Sequence, residues 1–142
     1  MKLKILSTAA SFFIMGLVTT SALKAQTPPA RTYTPGDWQP VARVASPKAP
    51  VELQLVNKTG LMLEYGLTDL GFNGKLPPGS NTVRKGVILP DFLLINAMEP
   101  LVRLNYDVTV NGNVVTVAIR QAGSGAGDTT INLQQTGGIY VY

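Results

Sequence analysis

The chain contains no cysteine and no histidine. Without cysteine there are no disulfides, no thiolate nucleophile and no Cys-ligated metal. Nor is there an N-terminal cysteine for the lipid anchor of a bacterial lipoprotein. Without histidine the commonest general base, metal ligand and pH switch are all missing. Charge is also scarce, at 14% of residues against 45% hydrophobic ones, a balance that suits a packed domain rather than a disordered tail. Long helical periods are absent. The 142 residues are enough for one domain.

The formal net charge of +4 is concentrated at one end. Lys2, Lys4 and Lys24 all fall between Met1 and Ala25, and the remainder carries nine basic against eight acidic side chains. A body so close to neutrality gives no reason to expect nucleic acid as a partner.

The segment from Met1 to Ala25 has the three-part layout of a secretory signal. Met1 to Lys4 is a basic start, Ile5 to Val18 is apolar, and Thr19 to Ala25 is small and polar. Cleavage is expected after Ala25, with Ala22 as the second choice. The competing reading is a retained anchor. Ile5 to Leu23 runs without a charge, and an apolar stretch of about 20 residues spans a bilayer. Thr19, Thr20 and Ser21 weaken that reading. Cleavage would leave no transmembrane segment and a periplasmic or extracellular protein. Residues 26–50 hold six of the ten prolines and are expected to form an extended spacer without helix or ladder. The single tryptophan, Trp38, lies there. It either docks a partner or glycan or folds back onto the domain.

From Val51 onward the pattern alternates with period two between Gly, Pro and Asn breaks, which is the grammar of strands. Val51, Leu53 and Leu55 alternate with Glu52 and Gln54, and Leu61 to Leu67 does the same. Asn81 to Ile88 and Phe92 to Ala97 predict strands on either side of Pro90, which should stand at an edge or strand boundary. Leu101 to Gln121 predicts a hairpin with Leu104, Tyr106, Val108 and Val110 on one face. An Asn111-Gly112 turn would set Val108 against Val115, Tyr106 against Val117 and Arg103 against Arg120. A Gly112-Asn113 turn keeps the same faces in another register. Thr129 to Gln135 and Ile139 to Tyr142 complete the set. A two-residue loop at Gly137-Gly138 would turn Tyr140 and Tyr142 inward with Ile131 and Leu133, and a three-residue loop would turn them outward. Residues 51–142 are therefore expected to be all-β, a small antiparallel sandwich of Ig-like or jelly-roll-like form with seven or eight short strands.

Five residues are candidates for interaction: Trp38, Arg103, Arg120, Tyr140 and Tyr142. Facing arginines suggest an anion site, or two side chains splayed into water. The glycine-rich Gln121 to Asp128 lacks the lysine and Ser/Thr of a phosphate loop and leads into a strand, so no nucleotide or other cofactor is expected. Asp69 to Asn73 carries oxygen ligands without EF-hand spacing. Glu52 and Glu64 are the one carboxylate pair that would serve a hydrolase across the first hairpin.

Val56-Asn57-Lys58-Thr59-Gly60 followed by Tyr65, then Leu76-Pro77-Pro78-Gly79-Ser80, Leu89-Pro90 and the terminal Gly-Gly-Ile-Tyr-Val-Tyr, resemble the uncharacterised small secreted β-domain proteins of the cyanobacterial type. The resemblance spans about residues 51–142. It implies a cell-envelope location and brings no activity with it. A weaker likeness to chaperone–usher pilins lies in the terminal aromatic strand, although the penultimate residue here is Val141 and cysteines are absent. The expectation is an exported, non-catalytic module that binds an envelope protein or glycan. The alternatives are a subunit that assembles through its terminal edge strand and a carboxylate hydrolase.

Overall fold

The computed structural model describes residues 39–142 except Leu70, and of Phe72 the backbone alone. The signal sequence expected over residues 1–25, the first part of the spacer and Trp38 lie outside the described residues. The described chain is all β: β1 (Ala42–Arg43), β2 (Val51–Asn57), β3 (Leu63–Leu67), β4 (Phe72–Leu76), β5 (Asn81–Val87), β6 (Asp91–Ala97), β7 (Leu104–Asn111), β8 (Val114–Gln121), β9 (Thr130–Leu133) and β10 (Gly138–Val141). Among the described residues no helix is long and apolar enough to cross a membrane.

The strands form a β-sandwich. One sheet has six strands in the order β1-β10-β9-β6-β3-β4, and the other has four in the order β5-β2-β8-β7. Every neighbouring pair is antiparallel except β2 and β8, which run parallel. The alternation in the sequence decides which side chains point inward. Leu53, Leu55, Val115, Val117 and Ile119 of the smaller sheet meet Leu63, Leu67, Leu93, Ile95, Ile131, Leu133 and Ile139 of the larger one, all buried. Burying a side chain of this size stabilises a fold by about 1.5–3 kcal/mol, so this layer is the main source of cohesion.

Two polar side chains tie the sheets together through that layer. Asn57, at the end of β2, is 1% exposed. Its Nδ2 donates to the carbonyls of Leu61, Leu76 and Pro77 at 2.8, 3.0 and 2.9 Å, while its Oδ1 accepts from the Thr59 N–H and hydroxyl at 2.9 and 2.7 Å. The chain leaves one sheet at Asn57 and enters the other at Leu63, and this one amide satisfies the backbone groups of the crossing. Tyr106 reaches from β7 to donate its hydroxyl to the Ile95 carbonyl of β6 at 2.8 Å. Asn57 and Tyr106 are both paired with Ile119, so the two ties flank one residue in a single row.

Three expectations are corrected. Residues 39–50 are not all spacer. Val41 to Ser46 is free of proline, so its N–H groups can pair: Val41 donates to Ile139 and Val44 to Gly137 at 2.8 and 3.0 Å, and Val44 is buried in the core. The strand β4, over Phe72–Leu76, stands where the sequence reading places no strand. Its alternation is hidden because glycine occupies an inward position, Gly74. Finally, the hairpin takes the Gly112-Asn113 turn, with Val110 opposite Val115, Val108 opposite Val117 and Tyr106 opposite Ile119.

The reason for that register is tertiary. Gly112 has a φ of +60° while Asn113 lies outside the left-handed region, the arrangement of a turn with glycine at its first central position. Asn113 is thereby freed to clamp a distant segment. Its Oδ1 accepts from the Ser46 N–H and its Nδ2 donates to the Ser46 carbonyl, both at 2.8 Å, and the Ala45 N–H donates to the Gly112 carbonyl at 2.9 Å.

Two outcomes are expected in urea denaturation. Asn57→Ala should cost about 2–3 kcal/mol by leaving buried carbonyls unpaired. Asn57→Asp should cost more, about 3–5 kcal/mol, because a buried carboxylate would face three carbonyl oxygens; equal stability of the Asp variant would remove Asn57 from its role. Gly112→Val should lower the melting temperature more than Thr109→Ala or Thr116→Ala on the hairpin's polar face, since a β-branched residue resists positive φ at a cost of about 1–2 kcal/mol. No atom stands within 4 Å of a Cβ built at position 112, so the loss would come from the backbone alone.

Candidate functional site

The outer face of the six-stranded sheet carries the arrangement best suited to binding. On β3 and β4 the outward positions are Glu64 and Gly66, and Asn73 and Lys75. On β6 they are Phe92, Leu94 and Asn96. The pairing lines them up in rows: Asn96–Glu64–Lys75, then Leu94–Gly66–Asn73. Because Gly66 has no side chain, the sheet dips between these rows. The depression is a groove of about 450 Å³ lined by Glu64, Gly66, Asn73, Lys75, Leu94 and Asn96. Its floor is completed by Tyr65 and Gly74. A Cβ at Gly74 would lie 2.6 Å from the Tyr65 ring, so the ring takes the space that a side chain at position 74 would need.

Four polar side chains of the groove are not engaged by the described part of the fold. Among the described residues the side chains of Glu64, Asn73, Lys75 and Asn96 make no hydrogen bond or ion pair. Glu64 stands directly opposite Lys75, so the lining carries one charge of each sign beside two neutral amides.

The rows continue across the sheet into aromatic side chains. Asn132 of β9 lies between Phe92 and Tyr140. Thr130 lies opposite Leu94 and exchanges both backbone hydrogen bonds with Tyr142, at 2.8 and 3.1 Å. Tyr140 and Tyr142 are half-buried on this outer face, while Ile139 points into the core. Three residues, Gln135, Thr136 and Gly137, lie between Gln134 and Gly138, whose N–H and carbonyl close the loop at 2.9 Å. That loop length is the one expected to turn the tyrosines outward.

The other candidates are placed elsewhere. Arg103 and Arg120 do not face each other: Arg120 is opposite Asn105 and its Nε pairs with Asp107 at 3.0 Å, whereas Arg103 donates to the Gly125 carbonyl at 3.0 Å. The two-residue shift in register thus removes the facing arginines on which the anion-site alternative depended. Glu52 and Glu64 do not form a pair either. Glu52 lies on the outer side of the four-stranded sheet, held by Gln54 at 2.9 Å and near Lys85 at 3.9 Å, so the sandwich separates the two carboxylates. β2 and β3 are not a hairpin, because the chain changes sheets between them. The terminal strand β10 is not an open edge, since β1 pairs with it through Ala42 and Arg43. Among the described residues no group of three or more acidic side chains could hold a metal ion. Asp91 instead organises the β3–β4 turn, its Oδ1 accepting from the Thr68 hydroxyl and the Asp69 N–H at 3.0 and 3.1 Å.

The glycine-rich stretch before β9 covers an edge. It returns to β7, where the Asp128 carboxylate accepts the Tyr106 N–H at 2.9 Å and the Asp128 N–H donates to the Leu104 carbonyl at 2.7 Å. Burial, with the Asp128 charge as a second cause, pushes the Tyr106 phenol far above its ordinary value.

No protein-family model matches the chain, and no curated protein or solved structure matches it either.

The groove escapes sequence reading because β4 does. The residual signal is the spacing of Asn73 and Lys75 on alternate positions after Gly71. For Tyr106, a folded-state pKa raised above the ordinary value means that its contribution to stability is fully present below about pH 10. It is lost as pH rises toward the folded value. Urea midpoints should therefore be flat for this group up to about pH 10 and fall above it. Tyr106→Phe should be less stable at neutral pH by about 1–3 kcal/mol and show a shallower alkaline decline. An alkaline slope unchanged in that variant would assign the decline to other groups.

Proposed function

We propose that this is an exported cell-envelope protein whose sandwich is a non-catalytic binding module, with the outer face of the six-stranded sheet as its contact surface. The observation that carries the reading is the groove at Gly66. It holds four polar side chains that make no hydrogen bond or ion pair among the described residues, set in line with Phe92, Tyr140 and Tyr142 on the same face. Binding sites commonly combine an apolar floor with a few convergent polar groups, and polar side chains left outside the fold's own hydrogen bonds are free to meet a ligand. Export is supported by the basic, apolar and small-residue order from Met1 to Ala25. The resemblance to small secreted β-domain proteins supports the same location.

The test is fractionation of a bacterium expressing the whole chain from Met1, followed by mass determination and sedimentation with isolated envelope material. Recovery outside the cytoplasm, with Met1 to Ala25 removed and the protein sedimenting with the envelope, is expected. A protein found in the cytoplasm with Met1 or its neighbours intact, and left in the supernatant, would overturn the proposal.

A further inference from the structure

We infer that the groove at Gly66 takes a neutral oligosaccharide lying across the strands toward Tyr142 and Tyr140; this rests on the binding-module reading above. The charge of the lining selects the class of ligand. Glu64 and Lys75 stand opposite each other and cancel, so the lining offers no net field to draw in an anionic or a cationic chain. A neutral ligand needs none. Asn73 and Asn96 supply amide groups that both donate and accept, the pairing required by hydroxyls that do the same. The carboxylate of Glu64 accepts from hydroxyls and the ammonium of Lys75 donates to them.

Leu94, beside the bare Cα of Gly66, offers apolar surface, which suits the C–H faces of a sugar ring. Phe92 and Leu94, each 40% exposed, extend that surface along β6. Aromatic side chains combine large apolar area with a polar handle in the case of tyrosine. The strip from β4 through β3, β6 and β9 to β10 crosses four inter-strand spacings, about 19 Å, so it can hold several sugar units rather than one. The near-neutral body of the protein, with nine basic against eight acidic side chains beyond Ala25, argues against a polyanion.

A peptide is the main competitor, because β4 is an edge strand beside the groove and open edges accept added strands. Lys75 on that strand and its short length oppose such pairing. A peptide would engage the backbone of β4 and leave Asn96 untouched, whereas a glycan in the groove must use Asn96 and Glu64.

The experiment is titration of the ¹⁵N-labelled whole chain, as processed by the expressing cell, with three uncharged probes: chitohexaose, cellohexaose and xylohexaose. Anionic oligogalacturonate and cationic chitosan hexamer are the charged controls. Shifts in the amides of Gly66, Asn73, Lys75, Leu94 and Asn96 are expected with at least one uncharged probe, weaker with both controls and insensitive to salt. Asn96→Ala and Glu64→Ala should each weaken that binding about tenfold, the loss of one ligand hydrogen bond, with melting temperature unchanged. Three outcomes would overturn the inference: no groove shifts with any uncharged probe, preference for a charged control, or binding undiminished in both variants. The failures are separable. If the Glu64→Ala, Asn96→Ala double variant still sediments with envelope material as the wild type does, the groove assignment falls and the binding-module reading stands. If the wild type does not sediment at all, the broader reading falls with it.

Discussion

A chain that passes from one sheet of a sandwich to the other must satisfy the backbone groups it exposes at the crossing. Here that requirement falls on Asn57. Its amide donates to the carbonyls of Leu61 before β3, Leu76 at the end of β4 and Pro77 after it, and accepts from Thr59, so the end of β2, the approach to β3 and the end of β4 are tied at one buried point. Leu63 pairs with Leu76 beside that point, and the register of β3 against β4 follows. The groove lies on the outer side of this same β3–β4 pair. Its geometry therefore depends on a side chain that never reaches it.

The second tie, from the Tyr106 hydroxyl to the Ile95 carbonyl, fixes the other partner of the groove. Ile95 stands between Leu94 and Asn96, whose side chains line the outer face, and Tyr65 lies opposite it. The neutral form of Tyr106, secured by burial, keeps its proton available to that carbonyl. Asp128 holds the backbone of Tyr106 from the far side, so the glycine-rich segment contributes through edge coverage and not through ligand binding. Asn57 and Tyr106 both flank Ile119, and the two ties act on one row of the smaller sheet.

Much of the architecture is legible in the residues. The alternation of Val51, Leu53 and Leu55, of Leu63, Tyr65 and Leu67, and of Leu104, Tyr106 and Val108 marks the core face of each strand, and those residues do face the core. The candidate site is legible only in part. Tyr140 and Tyr142 are recognisable as a pair on one face, and loop length decides which face. Glu64 stands out in the sequence beside the wrong partner, Glu52. Asn73, Lys75 and Asn96 do not stand out, because Gly74 interrupts the apolar alternation of β4 and nothing local distinguishes a solvated asparagine from a ligand-facing one.

The sequence by itself determined the class of the fold, the inward and outward side of β2, β3, β7 and β8, and the absence of cysteine and histidine chemistry. These follow from composition and from a period of two, which are local properties. Only the tertiary structure decided which sheet each strand joins, and with it that Glu52 and Glu64 lie on opposite surfaces. The same holds for the hairpin register, where Asn113 is drawn out of the ladder by Ser46, 67 positions away. It also holds for β10, whose edge is covered by two residues from a proline-rich stretch. The physical reason is common to all three. Alternation says that a ribbon has an apolar face, but either sheet of a sandwich offers the same apolar interior. The choice between them, and the register within them, is made by hydrogen bonds between residues far apart in the chain.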